Sequence, residues 1–147
     1  MKTILPLVIA CFFATGTVAQ TAESEPSEML FLEIDEIDLN QFKWKNRPVV
    51  VFSDSENNPA FIEQMRLLRE RPEELLSRDV VVITDTDPDA QSELRRKLRP
   101  RDFMLVIIAK DGGVNLRKPF PWDVREITRT IDKMPLRKRE IQQQSNR

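Results

Sequence analysis

Three runs of consecutive apolar residues punctuate the chain: "RPVVVF" at 47–52, "DVVVIT" at 79–84 and "FMLVIIA" at 103–109. A run that is apolar at every position, not every second one, belongs to a strand buried on both faces of a sheet. Between these runs the period changes. "PAFIEQMRLLRER" places Phe61, Met65 and Leu68 on one helical stripe, with Pro59 suited to the first helical position and Asn57 or Asn58 to the cap. Pro72 ends or kinks that helix, and "PEELLSR" adds a further turn or two. "PDAQSELRRKL" predicts a second helix, capped by Asp87, started by Pro88 and facing inward through Leu94 and Leu98. "KDGG" is a tight-turn signal, so "VNLRK" should return as an antiparallel edge. "PWDVREITRTIDKM" closes as a helix with Val124, Ile127, Ile131 and Met134 inside, and the rest reads as a charged tail.

The order is therefore β-α-β-α-β-β-α. Right-handed crossovers make the first two strands parallel neighbours, and the hairpin adds an antiparallel pair. The expected fold class is α/β: a thioredoxin-like three-layer fold with a mixed four-stranded sheet and helices on both faces. "MLFLEIDEIDLNQFKWK" is ambiguous, since Met29 to Leu32 suit an edge strand and Ile34, Ile37 and Leu39 a helical turn. Trp44 and Trp122 are expected to be partial core, with a binding role as the alternative reading.

The N-terminus changes how much of the chain enters that fold. Lys2, the apolar "ILPLVIACFFATG" and small residues Thr17 and Ala19 have the layout of a secretory signal cleaved after Ala19. The expected organisation is a signal peptide at 1–19, an acidic leader with a possible edge element at 20–40, a domain at 41–140 and a polar tail at 141–147. The expected location is periplasmic or secreted, with no transmembrane anchor after processing; a lipoprotein anchored through Cys11 is the minor alternative. Cys11 is the single cysteine, and the 147 residues include no histidine or tyrosine. Cleavage would leave no thiol, which excludes cysteine redox chemistry, Ser-His-Asp and Cys-His catalysis and zinc sites of His or Cys. Charge is lopsided: residues 20–92 hold 17 acidic against 7 basic side chains, and 93–147 hold 7 against 15. Such asymmetry can signal a nucleic-acid or anionic-surface partner; the expected reading is that the halves neutralise each other across the fold, and no nucleic-acid partner is expected.

With the topology in place, a resemblance to thioredoxins follows. Their first core strand runs into a loop carrying Cys-Gly-Pro-Cys, and "NNPA" lies over that motif as Asn57, Asn58, Pro59 and Ala60. Pro100 stands near the place of their cis-proline. The strings "FKWKNRPVVVF", "AKDGGVNLRK" and "IDKMPLRKRE" together resemble a secreted domain of unknown function. That domain occurs in bacterial exported proteins and in animal sushi-repeat-containing and coiled-coil-containing matrix proteins. The resemblance implies a thioredoxin- or peroxiredoxin-like fold and, for animal members, adhesive or matrix roles. It implies no catalytic residues.

The candidate ligand site is the polar loop "SDSENN" at the carboxyl end of the first core strand, where α/β sheets bind ligands: Asp54, Ser55, Asn57 and Asn58, with Pro100. The competing reading of that loop is a helix cap in solvent. A second candidate is the basic cluster Arg95, Arg96, Arg99 and Arg101, with Lys97, either a solvated face or a surface for an acidic partner or glycan. "DTDPDAQSE" offers Asp85, Asp87 and Asp89, but Ala90 and Arg96 occupy the glycine and glutamate positions of an EF-hand, which excludes that motif. Arg137 or Arg139 should fold back onto carboxylates. No cofactor or metal is expected. The leading expectation is a non-catalytic binding module with a protein or glycan partner. Its rival is a metal- or carboxylate-dependent enzyme using Asp54, Glu56 or the Asp85–Asp89 cluster.

Overall fold

A computed structural model describes residues 30–33 and 37–146. The expected signal segment with Cys11, the expected leader up to Met29 and the turn expected at Ile34 lie outside the described residues. Five strands form one sheet: β1 (Phe31–Glu33), β2 (Arg47–Phe52), β3 (Val80–Asp85), β4 (Met104–Ile108) and β5 (Val114–Lys118). The helices are α1 (Pro59–Glu70), α2 (Pro72–Leu76), α3 (Glu93–Leu98), α4 (Val124–Asp132) and α5 (Pro135–Ser145), with a 3-10 turn at Leu39–Phe42.

Strand order is β1-β3-β2-β4-β5. β2 and β3 run parallel with Val49 beside Val82, and β4 lies antiparallel to β2 with Val50 beside Val106. The continuous apolar runs divide by alternation. Val49 and Val51 join Met65, Leu68, Leu75, Ile127 and Ile131 on one face, under α1, α2 and α4. Val50 and Phe52 join Phe42, Leu94 and Leu98 on the other, under α3 and the 3-10 turn. Both faces are covered, as expected of a thioredoxin-like sheet.

Four expectations need correction. The sheet has five strands, because β1 adds a parallel edge to β3 with Phe31 beside Val82; this is the edge strand that Met29 to Leu32 left open. Trp44 is not core: it is 68% exposed. Asp87 does not cap α3, which starts five residues after Pro88 with Ser92 as its cap, Ser92 Oγ accepting from the Arg95 amide at 3.1 Å. Asp87 instead closes a local turn by accepting from the amides of Asp89 and Ala90. The charged tail is helical as far as Ser145.

That last helix, α5, has no inner apolar stripe, so periodicity could not reveal it. Only Arg137 among its residues is buried, and charge fastens it. Glu140 receives Arg47 Nη2 at 3.1 Å and Lys110 Nζ at 2.8 Å. Arg137 reaches Asp132 and Glu140 at 3.4 Å, folding back as expected, while Arg139 stays exposed. Asp132 also pairs with Arg78 at 2.8 Å. The Arg78 guanidinium, with Arg137, holds Asp132 below the ordinary carboxylate range. Burial pushes Glu140 up, but Lys110 and Arg47 outweigh it and the net direction is also down. A carboxylate depressed on folding lends stability that is complete above its unfolded value, about 4, and that is lost as pH falls through the lower folded value. Amide protection factors across α5, corrected for the intrinsic exchange rate at each pH, should therefore fall on acidification through about pH 4 and below. A flat profile there would refute the charge-fastened helix.

Candidate functional site

The carboxyl ends of β2 and β3 open on the same side of the molecule. Phe52 pairs with Asp85 in the last rung and also with Met104 at the start of β4. The loop 53–58, the loop after β3 and the segment from Pro100 into β4 thus converge at one end of the sheet.

The loop 53–58 satisfies most of its own polar groups. Ser53 is fully buried, and its Oγ donates to the Ser55 carbonyl at 2.9 Å. Ser55 Oγ accepts from the Asn57 amide at 3.0 Å, and Asn58 Oδ1 accepts from the Ala60 amide at 2.9 Å. Asn58 is thereby the N-cap of α1, with Pro59 at the first helical position. Its other side-chain atom, Nδ2, donates to Asp54 Oδ1 at 2.7 Å. That bond, ahead of smaller ones from Ser53 and the backbone, holds the exposed Asp54 carboxyl below its usual value. A carboxylate stabilised as the anion is a weak proton acceptor at neutral pH. Asn58→Ala should cost about 0.5–2 kcal/mol through loss of the cap, measured as a shift in denaturant midpoint.

Behind the loop stands a pair that the sequence reading divided between two motifs. Arg95 Nε donates to Asp85 Oδ1 at 2.8 Å, and its Nη2 donates to the carbonyls of Ser53 and Asp85. Asp85 Oδ2 accepts from Ser92 Oγ at 2.6 Å. The guanidinium also lies 5.5 Å from the centroid of the Phe52 ring. Arg95 is therefore no part of an open basic face; it clamps β2, β3 and α3 together. Arg96, Arg99 and Arg101 are exposed, and Arg99 ends α3 in the left-handed conformation at φ 49°. Pro100 is half-buried, and its peptide bond is trans like all those described.

The acidic cluster does not assemble. Asp85 is committed to Arg95 and Ser92, and Asp87 to its own turn. Among the described residues no three potential ligands of the His, Cys, Asp or Glu type gather to hold a metal ion. Ser92 Oγ both donates to Asp85 and accepts from an amide, which makes it the cap of α3.

What the sequence did not reveal is a cleft of about 620 Å³ beside this loop. Phe61, Ile62 and Met65 of α1 form an apolar wall, and Glu56, Thr84, Thr86 and Asp87 bring polar groups to it. Ile62 is over half exposed there. The signal was present in "PAFIEQM", where Ile62 lies off the Phe61–Met65–Leu68 stripe and so has no place in the core.

The fold is similar to that of the reduced 2-Cys peroxiredoxin of Plasmodium vivax, with a TM-score of 0.54 at 15% identity, over 76% of this chain and 86% of that one. It is also similar to thioredoxin peroxidase I of Plasmodium yoelii, with a TM-score of 0.54 at 15% identity, over 70% of this chain and 80% of that one. These likenesses give the fold, which is thioredoxin-like. No curated protein matches the chain. Residues 38–140 match the model of a family described as "Domain of unknown function (DUF4174)".

Proposed function

We propose, from the premise that this chain belongs to the family described as a domain of unknown function (DUF4174), that it is an exported thioredoxin-like module that binds a partner and performs no thiol chemistry. One observation carries the reading. At the strand-to-helix junction where the aligned thioredoxin motif has its cysteines, Asn57, Asn58, Pro59 and Ala60 stand, and Asn58 is spent on capping α1. The similar structures include a 2-Cys peroxiredoxin by name, whereas residues 20–147 contain neither cysteine nor histidine. Beside that junction the cleft with its apolar wall offers a protein or glycan partner a place to dock.

Export rests on the charged, apolar and small-residue order of the first nineteen positions, and puts the partner in the periplasm, envelope or extracellular space. The test has three arms. Mass spectrometry of the natural product should find a chain starting at Gln20. That chain should reduce insulin disulfides and consume peroxide no faster than buffer. Crosslinking in the native envelope fraction should capture a partner with the wild type and lose it with Ile62→Glu, whose exposed site spares the fold. Turnover in either thiol assay, or capture indifferent to Ile62→Glu, would overturn the reading.

A further inference from the structure

Trp44 is the most exposed of the large apolar side chains described, at 68%, and its backbone lies in the left-handed region at φ 65°. Both facts count against an incidental placement. A bulky aromatic residue at positive φ is an outlier, and such outliers persist only where neighbours hold them. The neighbours here are identifiable. Phe42, two residues earlier, is buried, and its carbonyl accepts from the amides of Lys45 and Asn46 at 3.0 and 2.9 Å. The Trp44 amide donates to the Lys110 carbonyl at 2.7 Å. The turn is fixed at both ends, and it holds the indole outward.

Lys43 and Lys45 flank it, both exposed, and neither has an ion-pair partner among the described residues. Lys43 runs its stem over Gly112, where an added Cβ would come within 2.6 Å of Lys43 Cε. Nearby Lys110 is taken up by Asp79 and Glu140. Among the described residues, the exposed acids Asp38 and Asp111 turn an oxygen to the amides of Asn40 and Gly113.

We propose that Lys43, Trp44 and Lys45 form a peripheral anchor that docks the protein on an anionic lipid surface. A single indole standing out from a convex turn fits a fluid layer that closes around it, where a rigid partner would have to supply its own pocket. An aromatic ring at headgroup depth, with lysine stems lying along it and ammonium groups reaching phosphates, is the chemistry of the membrane interface. No described helix is long and apolar enough to cross a membrane. It is independent of the cleft at the other end of β2.

The experiment is co-sedimentation of the processed chain with vesicles of phosphatidylglycerol and phosphatidylcholine, against phosphatidylcholine alone. The wild type should bind the anionic vesicles and release them at high salt. Lys43→Gln and Lys45→Gln should each weaken binding about fivefold, and Trp44→Ala about tenfold or more. Trp44→Gly should lose binding with no fall in melting temperature, because glycine accepts positive φ. In Trp122→Phe, where Trp44 is the remaining indole, emission should shift to the blue on vesicles. Ile62→Glu should bind like the wild type, whatever becomes of the cleft. Binding that survives Trp44→Ala, or absence of wild-type binding at low salt, would overturn the proposal. Trp44-dependent retention on heparin without vesicle binding would overturn it too, in favour of a sulfated glycan.

Discussion

Arg47→Ala is expected to destabilise the protein by about 3–5 kcal/mol. Arg47 opens β2 and is 1% exposed. Its guanidinium donates to the Arg78 carbonyl at 2.8 Å and to both Glu140 oxygens at 3.1 Å, and lies 3.8 Å from Asp79. Truncation removes the buried partner of Glu140, strips the Arg78 carbonyl of its donor and empties the volume of the stem. Each of those is a known route to a large loss. Arg47→Met keeps most of the stem and should recover part of it. The measurement is the guanidinium denaturation midpoint at constant slope. A loss below about 1 kcal/mol would mean that the cluster behaves as a surface network and contributes little.

The second large effect belongs to Asp85→Ala, also expected at about 3–5 kcal/mol. It leaves Arg95 largely buried without its counterion, and Ser92 without its acceptor. Asp85→Asn keeps the shape and a hydrogen-bonding oxygen and should cost less. A pairing argument can be separated from a packing argument by the double change Asp85→Leu with Arg95→Met. Replacing both charges with apolar groups of similar bulk is often close to neutral, so the double variant should be more stable than Asp85→Ala. Hydrogen exchange at residues 53–58 supplies a second readout, because Arg95 holds the Ser53 carbonyl. Unchanged protection there in Asp85→Ala would show that the loop stands without the clamp.

The apolar runs made the three central strands legible, since each run alternates its side chains between two covered faces and is therefore apolar throughout its interior. α1 and α4 were legible for the complementary reason, a single inner stripe, and α1 also by the cap candidates in front of it. β1 is only three residues long, too short for a period, and so remained one of two readings. α5 left no pattern because its attachment is ionic, and helical periodicity records only apolar contact. Of the site, a cap at Asn57 or Asn58 was readable from their place before Pro59, and the structure selects Asn58. Arg95 was not: beside Leu94, in a run of cations, nothing local separates the one that turns inward. Arg47 was hidden the same way, although a lone charge at the head of an all-apolar strand is a signal worth heeding. Trp44 was placed inward on composition alone, and the turn geometry reversed that.

The boundaries of the family match, 38 and 140, fall inside what the fold uses. A fragment cut at those positions would omit β1, baring the flank of β3 from Val82 to Thr84, together with Leu30, which is fully buried. It would also sever α5 at Glu140, the residue that Arg47 and Lys110 grip. Such a piece presents an open, apolar sheet margin to its neighbours, the arrangement that invites strand-to-strand clumping. Recombinant work on relatives of this chain would do well to start upstream of residue 30 and run past residue 145.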